Sequence, residues 1–179
     1  FTGAKCDDDF ASCAIGGTGA LDQIIYAQRD ATFIGAELLA EQDIGRIWRG
    51  VWGVEGQYDF VHATFSDGSF VPKMPPHRLG GGFYYRDLNW FARLFLLHAF
   101  AQNEFAAFDT PTPGYNLLNA EVRYTFKLDQ PGSVVPEMTI GLRSENLLND
   151  DIRYSTSFKK DEVLQPGTNV RLFGMVKLN

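Results

Sequence analysis

Residues 116–126 read NLLNAEVRYTF, and the alternation within this stretch decides the fold. On an extended chain one face is apolar (Leu118, Ala120, Val122, Tyr124, Phe126), and the other carries polar and charged side chains (Asn119, Glu121, Arg123, Thr125). Successive side chains of a β-strand point to opposite faces of the sheet. The period of two therefore predicts a strand with one apolar face and one face of paired charges.

The same alternation recurs along the chain, and helical periodicity is almost absent. We predict seven strands. The first is a long one that includes 34–40 and starts near Ile24, and the others lie at about 48–60, 78–86, 90–102, 116–126, 138–145 and 170–178. Strand 90–102 is apolar on both faces, so its two sides stay unassigned. The sequence therefore predicts an all-β, antiparallel, up-and-down sheet.

The connections between these strands differ systematically in length. Short ones around 42–46, 87–89 and 127–136 alternate with long ones at about 61–76, 103–113 and 148–167. This alternation is typical of a transmembrane β-barrel of the outer membrane, with short turns on the periplasmic side and long loops outside. Single-chain bacterial barrels have an even number of strands, so seven predicts the C-terminal part of a larger barrel.

Composition excludes several other classes. The chain of 179 residues is 45% hydrophobic and 14% aromatic, which is too apolar for a disordered protein. A net charge of −6 disfavours nucleic acid as a partner, because the phosphate backbone would repel it. No run reaches about 18 apolar residues, which excludes a membrane-spanning helix. Residues 1–5 carry no targeting signal.

Cys6 and Cys13 are the two cysteines of the chain. The spacer between them holds three aspartates, and Gly and Ser lie close by. This pattern favours a disulfide-closed loop in an oxidising compartment over two free thiols. We therefore divide the chain into an extracellular loop segment, 1–20, and a barrel part, 21–179.

Five short stretches resemble the TonB-dependent outer-membrane receptors. They are ATFIGAEL (31–38), VPKMPPHRLG (71–80), DTPTPGYNLLN (109–119), ENLLND (145–150) and the last loop, 154–167. They follow one another in the order found in that family, at matching strand positions, over about residues 21–179.

The resemblance implies a 22-stranded, multi-pass receptor in the outer membrane of a Gram-negative bacterium. In such a receptor a plug domain closes the lumen, and the TonB–ExbB–ExbD system energises import through an N-terminal TonB box. Neither the plug nor that segment lies within this sequence. The barrel-assembly machinery and the lipid of the outer membrane are the further partners that the family implies.

The chain departs from the family pattern at two places. Thr168 stands where the family usually has Arg after the final Pro-Gly, and the sequence ends on Asn179 where the family usually ends on an aromatic residue. Leu178, Val176 and Leu172 lie in the register expected if one more residue followed. We therefore expect the natural protein to continue by one residue, Phe.

Binding candidates lie in the predicted long loops, and no catalytic constellation is present. Aromatic and thioether side chains there could pack on an organic chelator or haem (Phe65, Phe70, Met74, Phe105, Phe108). Carboxylates and imidazoles could ligate a cation (Asp7, Asp8, Asp9, His62, His77). The alternatives are that the rings pack the loops together, that the aspartates form a solvated surface, and that the histidines bind nothing. Lumen charges such as Glu55, Glu121 and Arg143 are expected to pair across strands.

Two functions follow from these observations. The first is a transporter, not an enzyme, with no permanently bound cofactor. It captures a scarce metal nutrient, by default an iron–siderophore complex and alternatively zinc, haem or vitamin B12, for import into the periplasm. The second is a soluble, secreted β-sandwich binding module with one disulfide, which would bury the apolar faces against a second sheet.

Overall fold

A computed structural model describes residues 4–7, 12–15, 17, 19, 21–22, 28–107, 109–127 and 137–177. The strands are β1 (Ala4–Cys6), β2 (Cys13–Ile15), β3 (Leu21–Asp22), β4 (Ala31–Ile47), β5 (Gly50–Phe65), β6 (Arg78–Arg86), β7 (Trp90–Ala99), β8 (Tyr115–Lys127), β9 (Glu137–Glu145) and β10 (Asn169–Lys177). No helix in these ranges is long and apolar enough to cross a membrane.

Strands β4 to β10 form one antiparallel sheet in which each strand pairs with the next along the chain. The up-and-down sheet of seven strands predicted from the alternation is therefore confirmed. Strands β4 and β10 form its two edges, so the sheet does not close on itself within the described residues. An open sheet of this form is the expected shape of part of a barrel wall.

The register aligns the apolar side chains of neighbouring strands on one face. Val122 of β8 lies between Ala92 of β7 and Leu142 of β9, and Leu142 in turn pairs with Leu172 of β10. This face is exposed along the sheet, and no second sheet covers it in the described part of the chain. This exposed apolar face does not match the β-sandwich alternative, which needs a second sheet over that face.

The β4–β5 hairpin is longer than a bilayer requires. At about 3.3 Å per residue, β5 with its 16 residues extends over about 50 Å, whereas the apolar band of a tilted barrel strand is only about 25 Å tall. In a transmembrane barrel, as the resemblance implies, the end of β5 near Phe65 would extend beyond the apolar band on the side of the long loops.

The short turn predicted at 42–46 is wrong. These residues lie inside β4, and the turn consists of Trp48 and Arg49. The register shifts between Asp43 and Gly45, so Ile44 is the extra residue of a β-bulge. A bulge interrupts the strict alternation, and the interruption resembles a turn in the sequence. Residues 23–27, where we expected the strand to begin, lie outside the described residues.

The small sheet at the head of the chain has the order β2-β1-β3. A disulfide joins Cys6 and Cys13, which face each other in the register of β1 and β2. Cys6 is fully buried on the central strand β1, whereas Cys13 is exposed on the edge strand β2, so the disulfide ties the edge of this sheet to its centre.

Candidate functional site

The polar face of the large sheet carries a ladder of ion pairs. Arg93 of β7 donates two hydrogen bonds, of 2.5 and 2.8 Å, to Glu55 of β5 across the intervening strand β6. Arg78 of β6 donates to Asp59 at 2.7 Å. The same face holds further pairs (Arg86 with Glu41 and Asp43, Arg123 and Arg143 with Glu121, Arg171 with Glu145). The expected cross-strand pairing of these charges is confirmed, so the ladder balances its own charge.

Aromatic rings on this polar face lie over glycines of neighbouring strands. A Cβ added to Gly80 would lie 2.6 Å from Cζ of Phe95, and one added to Gly141 would lie 2.5 Å from Cζ of Phe173. The guanidinium of Arg93 lies 4.7 Å from the centroid of the Phe95 ring. Each ring thus fills the space that a glycine leaves, and it helps to hold an arginine against the wall.

Three long loops lie at the same end of the sheet: 66–77 after β5, 100–114 after β7 and 146–168 after β9. Ile152 of the third loop packs against Ala99 and Tyr115 on the polar face. The hydroxyl of Ser155 donates to the carbonyl of Met74 in the first loop at 2.7 Å. Loop 146–168 therefore folds inward over the polar face, and it joins the other two loops there.

Lys160 is the residue at which loops 100–114 and 146–168 meet. Its side chain is only 1% exposed. The ammonium donates to the carbonyl of Thr110 at 2.6 Å and to the Thr110 hydroxyl, and it lies 3.3 Å from the carboxylate of Asp109. Lys73 of the first loop donates to the same carboxylate at 2.9 Å. A buried cation needs such partners, so this pairing fixes the three loops relative to one another.

The electrostatics of this junction keep its carboxylates ionised. Burial alone would raise the pKa of Asp109, but hydrogen bonds from Lys73, from the Thr110 amide and from Lys160 hold the pKa below its ordinary value. The hydrogen bonds from the Thr110 hydroxyl likewise lower the pKa of Asp161. Both groups therefore remain acceptors for the lysines at neutral pH.

The ENLLND stretch forms the base of loop 146–168. Asn146 has a left-handed backbone (φ 52°) and is 2% exposed. Its side-chain amide donates to the carbonyls of Asp150 and Pro166, and its side-chain oxygen accepts from the amide of Asp150. The hydroxyl of Thr168 donates to the carbonyl of Asn146 at 2.7 Å. Asparagine tolerates this backbone, and its side chain closes the turn.

Two open recesses lie on the polar face below these loops. One, of about 210 Å³, is lined by side chains of the ion-pair ladder (Arg93, Asn119, Glu121, Arg143, Glu145). The other, of about 300 Å³, lies under the loops and has a more apolar lining (Pro75, Pro76, Leu97, Tyr115, Tyr154, Ser155). The recess under the loops is thus more apolar than the recess along the ladder, although Arg78 of the ladder also lines it.

The aromatic candidates predicted from the sequence do not form one cluster. Phe65 packs under the guanidinium of Arg29, at 4.0 Å from the ring centroid, and Phe70 meets His62 edge to face. Met74 is half-buried and its carbonyl binds Gln102 and Ser155, whereas Phe105 is exposed. Phe108 lies outside the described residues.

The metal candidates are also distributed. Nδ1 of His62 lies 2.8 Å from a carboxylate oxygen of Glu104, whereas His77 bonds the hydroxyl of Tyr58 at 3.1 Å and stacks on Phe60. Asp7 accepts from the hydroxyl of Ser12. Asp8 and Asp9 lie outside the described residues. Among the described residues, no three His, Cys, Asp or Glu side chains form a group that could hold a metal ion.

Sequence reasoning missed Lys160, Asn146 and Phe158 as parts of the site. Phe158 is 91% exposed in loop 146–168, with the ammonium of Lys73 5.8 Å from its ring centroid. A large exposed ring in a long loop is a signal visible in the sequence. The burial of a lysine carries no comparable signal, because lysines are almost always exposed.

Comparison with known proteins adds one match. Residues 7–147 fit the family model described as TonB dependent receptor-like, beta-barrel. No curated protein matches the chain. The matched range includes strands β2 to β9 and the first two long loops. Members of the family are transporters of the Gram-negative outer membrane. The chain therefore belongs to the TonB-dependent receptor family, as part of its outer-membrane β-barrel.

Proposed function

We propose that this chain forms the C-terminal wall, 21–179, and part of the extracellular mouth of a TonB-dependent receptor that imports an iron–siderophore complex. The observation that carries the proposal is the exposed aromatic surface of the loops. The ring of Phe158 is almost completely exposed, and Phe105 on loop 100–114 is 38% exposed. Exposed rings on the loops of an outer-membrane receptor suit an organic chelate, which buries its own apolar atoms against them.

Two cationic side chains lie against aromatic rings at this end of the sheet. The ammonium of Lys73 lies near Phe158, and the guanidinium of Arg29 lies over Phe65. Each cation also has an acidic partner, Asp109 and Asp67 respectively, so each is held in place. A ferric chelate with net negative charge would find both a stacking surface and an oriented cation at this end of the sheet.

Zinc import is the second candidate. The pair of His62 and Glu104 supports it, because imidazole and carboxylate are both zinc ligands. His77 and the three aspartates between the cysteines stay candidate ligands under this proposal. Haem and vitamin B12 remain further candidates for the same aromatic surface.

The partners follow from the family. We propose that an N-terminal segment outside this sequence contacts the TonB–ExbB–ExbD system, and that a plug packs on the ion-pair ladder. The apolar positions of β10, Val170, Leu172 and Val176, face the same side as their neighbours on β9, and we propose that the barrel-assembly machinery binds this strand.

The test compares metals and variants in cells that lack the chromosomal receptor. Uptake of radioactive iron is measured as a tricatecholate and as a trihydroxamate complex, and uptake of radioactive zinc is measured in parallel. We expect Phe158→Ala to raise the concentration that gives half-maximal uptake of one ferric complex about 5- to 30-fold, from the loss of an aromatic contact of about 1–2 kcal/mol. Thr156→Ala, an exposed position two residues away, is the matched control. Zinc uptake restored by the receptor, with no effect on either ferric complex, would contradict the iron assignment.

A further inference from the structure

The largest fully buried side chains of the described residues belong to a loop. By residue volume the first three are Lys160, Ile152 and Asn146, and all three lie in 146–168. Loops usually run over the surface and carry few buried groups. Loop 146–168 is therefore built differently from a surface loop, although it contains no helix or strand.

Its anchors are distributed from base to tip. Asn146 closes the base through the carbonyls of Asp150 and Pro166. Ile152 fills an apolar site on β7 and β8, next to Ala99 and Tyr115. Near the tip, Lys160 is enclosed by Thr110 and Asp109. The loop is thus anchored at its base, at its middle and near its tip.

The anchors also reach both neighbouring loops. Ser155 binds loop 66–77 through the Met74 carbonyl, and Lys160 binds loop 100–114. Within loop 146–168, the guanidinium of Arg153 donates to the carbonyl of Lys160. Opening would break these bonds together and would expose a buried ammonium and a buried isoleucine. Opening free energies rise with the number of buried contacts that must be broken at once.

We propose that 146–168 is a fixed ledge over the polar face of β7 and β8, and that import does not move it. Lys160 is the residue that locks the ledge to the neighbouring loops. The cargo then passes beside this ledge, and any loop that closes over the cargo lies elsewhere in the receptor. The proposal rests on the barrel wall described above and not on the identity of the metal.

Thiol labelling of the complete receptor tests the ledge. Both native cysteines are joined in a disulfide, so a single introduced cysteine is the reactive thiol of this chain. Ser155 is 5% exposed and its neighbour Thr156 is exposed, so Ser155→Cys and Thr156→Cys form a matched pair. In purified receptor, we expect a maleimide to label Ser155→Cys at least about ten-fold more slowly than Thr156→Cys.

The role of Lys160 is tested in the same assay. Lys160→Met keeps the length of the side chain and removes its charge, and we expect it to bring the labelling of Ser155→Cys to within about three-fold of Thr156→Cys. Lys159→Met changes an exposed lysine beside it and is expected to leave the ratio unchanged. Equal effects of the two lysine variants would overturn the assignment of Lys160.

Movement during import is tested in living cells under metal limitation, with and without a protonophore. A fixed ledge gives the same slow labelling of Ser155→Cys in both conditions. Labelling several-fold faster in energised cells would overturn the proposal, because it would show that the loop opens during transport. The labelling ratio in purified receptor does not depend on which cargo is transported. The labelling result can therefore be interpreted even if the iron assignment fails.

Discussion

Replacement of Asn146 by alanine should open the base of the ledge. The side chain makes three hydrogen bonds of 3.0 to 3.2 Å, and the backbone is left-handed. With about 1 kcal/mol for each bond and about 1 kcal/mol for a non-glycine residue at this φ, the cost is about 3 to 4 kcal/mol. That energy corresponds to about two to three orders of magnitude in the opening equilibrium.

Hydrogen exchange followed by mass spectrometry measures this opening directly. The amide of Gln165 donates to the carbonyl of Ile152 across the loop, so its exchange reports the closed loop. We expect about a 100-fold faster exchange in peptides from 146–168 of Asn146→Ala, with no change in the β6 peptide.

Two variants separate the contributions. Asn146→Gly loses the same side-chain hydrogen bonds as Asn146→Ala, but glycine adopts the left-handed backbone without strain. Amide exchange in Asn146→Gly should therefore be about five-fold slower than in Asn146→Ala. Asn103→Ala, at an exposed asparagine of loop 100–114, is the control for the substitution itself. Exchange within about two-fold of the wild type in Asn146→Ala would refute the assigned role of this side chain.

Two further predictions follow from the same geometry. Gly80→Ala places a methyl group against the Phe95 ring and should destabilise the folded barrel by about 1–3 kcal/mol in urea titrations. Gly56→Ala is the control and should have little effect, because the nearest atom to its new methyl group would lie 3.9 Å away. Equal effects of the two variants would contradict the packing of rings over glycines. The lowered pKa of Asp109 means that its contribution to loop docking is complete above the ordinary value of 3.8 and is lost as the pH falls through the lowered value. The rate of cleavage by pepsin within 146–168, normalised to a reference peptide, should therefore rise below pH 3.8 in the wild type. The variant Asp109→Asn should be cleaved readily at every pH tested. Equal cleavage rates of the wild type and this variant at pH 5 would contradict the prediction.

The sheet could be predicted from the sequence because alternation is a local signal. The predicted strand 78–86 coincides with β6, and the faces of β8 and β9 are as expected. The faces of β7 could not be assigned because Phe91 and Phe95 are apolar yet lie on the polar face. Phe95 fits there because of glycines on the neighbouring strand, and which glycines lie opposite depends on register and not on the sequence of β7.

The loop junction could not be predicted for a related reason. Lys160 is buried because Thr110 and Asp109, about fifty residues earlier, supply its partners. From the sequence, a lysine next to Asp161 in a polar loop is expected to be exposed. Only the three-dimensional arrangement of the loops shows that Lys160 is buried. The exposed ring of Phe158 could have been predicted from the sequence, because Phe158 is an aromatic residue in a loop that the sequence predicts.

The chain forms part of a barrel wall in the outer membrane. The most direct measurement is an immunoblot of fractionated cells with an antibody against 137–177, with each sample run unheated and boiled. We expect a band in the outer-membrane fraction that is released only by detergent. This band should migrate faster before boiling, because the folded barrel resists the detergent. A soluble band with the same mobility before and after boiling would show that the chain is not part of a membrane barrel.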